Sequence, residues 1–320
     1  MSITNGFDYL FTRCKELKKK RIAVVCPYEE DALTAIDEAR KAGYVTGVLV
    51  GEHDKIKPMA DKNGINLDNY EVLEAVGDEK SSEAAVRAVS SGSADLLMKG
   101  LVKTATLLKA VLNKEWGLRS KQEESLLSHI MFAEIPLLNN RVIATTDGGM
   151  IMYPDVKTKA AIINNAVSCL HKLGVSCPKV AVLGAAEQVY LNVPAASNSK
   201  TLVEQEFIQA AADAALLCKM NERGIIKNCV VDGPMGLDSA ICKDKAVEFG
   251  INSVVGGEAD ILLVPDIESG NMLGKSMSYI AGSTCAGVLL GAEKPVIMLS
   301  RHDTSKTKLS SIVLGAVVSG

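Results

Sequence analysis

The chain has 320 residues, of which 48% are hydrophobic and 23% charged, with a net charge of −3. That length exceeds the ~250–300 residues at which a single core stops growing, so two domains are expected. The acidic balance argues against nucleic-acid binding, which favours a basic face, and no stretch offers the ~18 uninterrupted apolar residues of a membrane span.

Residues 1–20 lack the apolar centre of a secretory signal, so a cytoplasmic location is expected. Short runs rich in Val, Ile and Leu at residues 21–27, 45–51 and 94–100 predict strands, and apolar residues at helical spacing predict helices over 31–43, 81–91 and 104–113. The alternation continues with strands at 141–147, 179–184, 229–233, 259–266 and 295–301, and helices at 158–173, 204–220 and 308–318. Continuous apolar runs suit strands covered on both faces. The pattern is that of an α/β protein whose mostly parallel sheets are flanked by helices and built from right-handed β-α-β units. The polar residues 119–125 and the segment 134–140 suggest a break near 138. A return near 294 then gives a first domain of 1–138 plus 295–320 and a second of 139–294.

In an open parallel sheet, ligands gather beyond the carboxyl ends of the strands. The strand at 295–301 delivers Ser300, Arg301 and then Asp303 to such a place, ahead of a helix whose unpaired N–H groups favour an anion. The strand at 94–100 ends in Lys99 and leads to Lys103, with Thr104 expected as the N-cap of a helix that carries Lys109. Three ammonium groups near one strand end would hold phosphate as point charges, and solvated surface lysines are the plainer alternative. The strand at 259–266 opens through Pro265 and Asp266 into Glu268-Ser-Gly-Asn271. There Gly270 admits a ligand close to the backbone and Asn271 orients a polar group, although a well-made turn explains the pattern equally. It is neither the Gly-x-Gly-x-x-Gly fingerprint nor a Walker loop.

The other turns are less specific. Asp232 and Asp238 flank a Gly-Pro turn, and Gly148 with Gly149 fits a tight turn beside Asp147 and Asp155. No carboxylate spacing there identifies a metal site, and none is expected. The eight cysteines include no Cys-x-x-Cys pair, and with four histidines no zinc spacing arises, so they read as buried or free thiols. His53 and His171 read as surface residues, His129 as packed, and His302 as the histidine nearest a site. No Gly-x-Ser-x-Gly elbow marks a serine hydrolase.

Taken together, Leu97-Met-Lys-Gly-Leu-Val-Lys-Thr104, Val230-Val-Asp-Gly-Pro-Met-Gly-Leu-Asp238, Ala259-Asp-Ile-Leu-Leu-Val-Pro-Asp-Ile-Glu-Ser-Gly-Asn271 and Pro295–Asp303 resemble the phosphate acetyltransferase and phosphate butyryltransferase family, closer to the butyryl branch. The resemblance runs from about residue 20 to the end. It implies two α/β domains with the active site in the cleft between them, in an architecture similar to isocitrate and isopropylmalate dehydrogenases. It implies the reaction acyl-CoA + phosphate = acyl phosphate + CoA, with coenzyme A as a substrate and no tightly bound cofactor. Ser300 and Arg301 would correspond to the family's Ser-Arg pair at the CoA and phosphate site. Lys99, Lys103, Thr104, Lys109, Gly270, Asn271 and Lys275 would contact CoA or phosphate. At least a homodimer is implied.

Two departures stand out. The acetyl-type enzymes carry a proposed base, an aspartate, where this chain has Thr307-Lys308, which leaves Asp303 as the nearest acid. Lys109 stands where relatives show arginine, keeping the charge and losing the bidentate fork. Two other readings therefore stay open: a non-catalytic acyl-CoA or phosphate binder that has lost the base, and a dehydrogenase of related fold.

Overall fold

The computed structural model describes residues 6–120, 126–185, 187, 202–299 and 303–320, with backbone alone for 202–208. The strands are β1 (Lys20–Val25), β2 (Val45–Gly51), β3 (Glu71–Glu74), β4 (Leu96–Lys99), β5 (Ser128–Ile135), β6 (Arg141–Thr146), β7 (Lys179–Leu183), β8 (Val230–Met235), β9 (Ile261–Leu263), β10 (Thr284–Leu290) and β11 (Val296–Ile297). The helices are α1 (Asp8–Glu16), α2 (Glu30–Lys41), α3 (His53–Lys62), α4 (Asp78–Ser90), α5 (Thr104–Val111), α6 (Val156–Lys172), α7 (Leu202–Glu222), α8 (Leu237–Ile241), α9 (Lys243–Glu248), α10 (Ile267–Lys275) and α11 (Ser305–Val318). No helix among the described residues is long and apolar enough to cross a membrane.

Contacts divide the chain into two units, one of Asn5–Leu127 with Thr284–Gly320 and one containing Ser128–Ser283. These breaks precede the 138 and 294 suggested by the sequence, and the reason is strand pairing. β5 stays with β6 because the two pair antiparallel from Ile130↔Thr146 to Ile135↔Arg141. β10 stays with the terminal residues because it pairs with β11 and packs on α11.

In the first unit the strand order is β3-β2-β1-β4-β11-β10. β1, β2, β3, β4 and β11 are parallel, and β10 is antiparallel to β11. The chain steps outward from β1 to β3 and then returns to place β4 on the other side of β1. That reversal opens a crevice at the carboxyl ends of β1 and β4. In the second unit the order is β5-β6-β9-β7-β8, parallel from β6 onward.

The same device starts a site-bearing strand in each unit. Asp95, just before β4, accepts the N–H of Arg21 at 2.8 Å, while its own N–H reaches the Arg21 carbonyl at 2.7 Å. Asp260, just before β9, accepts the N–H of Lys179 at 2.9 Å and donates to the Lys179 carbonyl at 2.8 Å. Each aspartate thus ties the start of its strand to the start of a parallel neighbour by accepting that neighbour's N–H, of Arg21 or Lys179.

The first unit is centred on α11, buried at Lys308 and from Ser310 through Val318. Burying each of Ile312, Leu314 and Val317 contributes roughly 1.5–3 kcal/mol over leaving it exposed. The helix lies close on the sheet: a Cβ at Gly315 would come within 2.9 Å of Leu96 Cδ1 and 3.0 Å of Ile297 Cδ1.

Candidate functional site

At the reversal between β1 and β4, the backbone fixes where Lys99 ends and Lys103 begins. Val25 pairs with Lys99, and the ladder runs on through Gly100 N–H to the Val25 carbonyl at 2.8 Å and Leu101 N–H to the Cys26 carbonyl at 2.7 Å. A side chain at Gly100 would not fit, since its Cβ would lie 2.4 Å from the Cys26 carbonyl oxygen. Cys26 itself takes a left-handed backbone, φ 48°. Burial pushes its thiol above the ordinary value, which keeps it protonated rather than nucleophilic.

Lys99 is half-buried, with its ammonium 3.2 Å from the Gly100 carbonyl oxygen. Lys103 is exposed and occupies the N-cap position of α5, so Thr104 is the first helical residue and makes no side-chain cap. The extended backbone at Lys103 moves the helix start one residue earlier than the sequence suggests. Lys109 is exposed in the last turn of α5. Five residues of α-helix carry it ~7.5 Å along the axis from Thr104. The structure therefore brings Lys99 and Lys103 to the strand end and sets Lys109 away from it.

β11 runs parallel beside β4, with Val296↔Leu97 and Ile297↔Met98, so the chain leaves both strands at one sheet edge. Ser300, Arg301 and His302 lie outside the described residues. Asp303, half-buried, directly precedes Thr304, the N-cap of α11, whose hydroxyl accepts the Thr307 N–H at 3.2 Å. Lys308 is 3% exposed and its ammonium sits 3.2 Å from the Asp31 carboxylate. The Lys308 ammonium, near the start of α11, is thus committed to a charge pair with Asp31.

In the second unit, Gly270, Asn271 and Lys275 belong to α10. Asp266 caps this helix, accepting the Ser269 N–H at 2.8 Å and the Ser269 hydroxyl at 2.7 Å. Gly270 is buried against Gly148: a Cβ on it would lie 2.7 Å from Gly148 Cα, and one on Gly148 would lie 2.6 Å from the Gly270 carbonyl carbon. Gly270 and Gly274 are buried while Asn271 and Lys275, one turn apart, are exposed. Lys275 also lies over the Tyr279 ring at 5.9 Å.

Asp147 builds the turn that α10 rests on. Its Oδ1 accepts the N–H groups of Gly149 and Met150, each at 2.8 Å, and its Oδ2 that of His129 at 2.9 Å. Asp155 is likewise engaged, capping α6 through the Thr158 N–H at 2.7 Å. Among the described residues no group of three or more His, Cys, Asp or Glu could hold a metal ion. Sequence reasoning read Gly148 as a turn residue and passed over Gly100. The Lys-Gly pair directly after an apolar strand was the signal for the latter.

Residues 78–316 match the family described as phosphate acetyl/butaryl transferase. The chain is 40% identical over 316 residues to a phosphate butyryltransferase of Clostridium beijerinckii, across 99% of this chain and 98% of that protein. Among solved structures it is similar to a branched-chain phosphotransacylase from Enterococcus faecalis V583, with a TM-score of 0.78 at 24% identity over 94% of this chain and 99% of that one. It is also similar to 4-hydroxythreonine-4-phosphate dehydrogenase from Klebsiella pneumoniae, with a TM-score of 0.55 at 12% identity over 94% of this chain and 100% of that one. Both structural likenesses are of fold, and the second agrees with the dehydrogenase-like architecture expected from the sequence. Its match along most of its length places this chain in the phosphate acetyl/butyryl transferase family.

Proposed function

We propose that the protein transfers a short-chain acyl group, butyryl or acetyl, reversibly between coenzyme A and inorganic phosphate. The observation that carries this reading is the identity shared with a phosphate butyryltransferase along nearly the whole chain. The strand-end lysines support it: Lys99 and Lys103 put two positive charges at the reversal between β1 and β4, where phosphate oxygens are best received. Lys109 serves only a group that extends along α5. Thr104 offers a hydroxyl in the first turn, and Asn271 with Lys275 offers polar groups on the exposed face of α10.

In the forward direction, a phosphate oxygen attacks the thioester carbonyl carbon. The C–S bond breaks, and the CoA sulfur leaves with the proton given up by phosphate. Arg301 holds the phosphate through its planar fork while Ser300 donates to the developing oxyanion. Asp303 relays the proton between phosphate and sulfur and, in reverse, takes it from the CoA thiol. The reading includes no tightly bound cofactor, a cytoplasmic location and a homo-oligomer.

The test is steady-state kinetics of Arg301→Ala with butyryl-CoA, acetyl-CoA and phosphate. At least a hundredfold loss of kcat/KM with an unchanged melting temperature is expected, equivalent to about 2.7 kcal/mol of transition-state stabilisation. Full activity in the variant would remove Arg301 from the mechanism.

A further inference from the structure

Lys308 stands in the first turn of α11, just after the Thr304 cap, and is 3% exposed. Asp31, the second residue of α2, accepts a hydrogen bond from the Lys308 ammonium at 3.2 Å. β1, β4 and β11 are neighbouring parallel strands, α2 follows β1, and α11 follows β11. Both helices therefore begin at the sheet edge where β4 delivers Lys99 and Lys103, and the ion pair joins their starts across 277 residues of chain.

Stability does not account for a lysine at this place. α2 buries Leu33 and Ile36, α11 buries Ile312 and Leu314, and the two helices already pack on each other. The Asp31 side chain is 54% exposed, against 4% for that of Lys308. A pair with one solvated partner adds little, and burying the ammonium has a desolvation cost that an apolar side chain of similar length avoids. What the pair adds is direction. α11 is buried from Ser310 through Val318, and apolar contact is non-directional, so that packing alone leaves the rotation and sliding of the helix weakly defined. Two polar ties, one turn apart, remove that freedom. The Ser311 hydroxyl accepts the Gly287 N–H of β10 at 2.9 Å while donating to the Thr307 carbonyl at 2.8 Å, and Lys308 reaches α2. The tie at Lys308 is the nearer of the two to the helix start, where Asp303 and, before it, Arg301 join the chain.

Resting on the acyl-transfer reading, we propose that Lys308 is a positioning residue for that reaction. Through Asp31 it fixes the start of α11, and so the placement of Asp303 and of the preceding Arg301 relative to Lys99 and Lys103.

Two variants test this: Lys308→Met, which keeps the length of the side chain without its charge, and Asp31→Ala at the exposed partner. Each is expected to lose at least tenfold in kcat/KM for phosphate with butyryl-CoA, and Lys308→Met is expected to melt no lower than wild type. The double variant loses no more than the larger of the single losses, since one contact is broken in all three. Amide hydrogen exchange over residues 304–309 quickens at least tenfold in each variant, while that of α4 stays the same. Full phosphate kcat/KM in the variants would overturn the assignment, as would losses that multiply in the double variant or unchanged exchange over 304–309. A Lys308→Met protein that fails to fold, or melts well below wild type, would make Lys308 a residue of stability and overturn it too. If exchange quickens in the variants but wild type releases no thiol from butyryl-CoA with phosphate, the acyl-transfer reading fails and the tie between α2 and α11 stands.

Discussion

At the scale of single residues, two glycines settle more than the charged groups around them. Gly148 and Gly270 meet backbone to backbone, and this contact seats α10 on the Asp147 turn. In an open helix, replacing glycine by alanine stabilises by roughly 1 kcal/mol. At Gly270 the sign reverses, because a Cβ 2.7 Å from Gly148 Cα forces two backbones apart. Gly270→Ala is therefore expected to lose about 1–3 kcal/mol in urea unfolding, in the range of overpacked cores. A gain in stability would show that the contact is loose. The sequence made Gly270 readable as a place of close approach, but its partner was hidden, since Gly148 lies far away in the chain. Thr104 illustrates the opposite limit: a threonine before an apolar helical run reads as a cap, and the extended backbone at Lys103 decided otherwise. Lys308 is a third case, because its place in the chain gave no sign that Asp31 would claim its charge.

At the scale of elements, the long Val, Ile and Leu runs were legible because β1, β2, β6 and β7 are covered on both faces and so lack polar interruptions. β3, with the half-exposed sequence Glu-Val-Leu-Glu, and β5, which alternates between buried and half-buried residues, gave no such run. α10 was legible only as a turn opening a helix, since Gly270 and Gly274 interrupt its apolar pattern. The aspartates that precede β4 and β9 were also missed as structural residues, because their partners, Arg21 and Lys179, start strands remote in sequence. Asp260 holds a partly buried N–H whose loss costs about 1–3 kcal/mol. Asp260→Ala is expected to lower the unfolding free energy by that amount, read as a lower urea midpoint at an unchanged m-value. An unchanged midpoint would mean that water or a shifted strand replaces the carboxylate.

At the scale of the whole molecule, the α/β class and the parallel order followed from strand-helix alternation, while the boundaries between units did not. Those depend on the pairing of β5 with β6 and of β10 with β11, both antiparallel additions that composition does not announce. The Lys99–Thr104 turn in one unit and the Asp266–Asn271 turn in the other follow strands begun by the same aspartate device, and both had been picked out from residue types alone. The central claim is acyl transfer to phosphate, and it is tested most directly by following free thiol from butyryl-CoA with and without inorganic phosphate while trapping the acyl product with hydroxylamine. The account predicts thiol release only when phosphate is present, matched one to one by hydroxamate from acyl phosphate. Thiol release that is independent of phosphate, or no release by a folded protein that binds CoA, would contradict it.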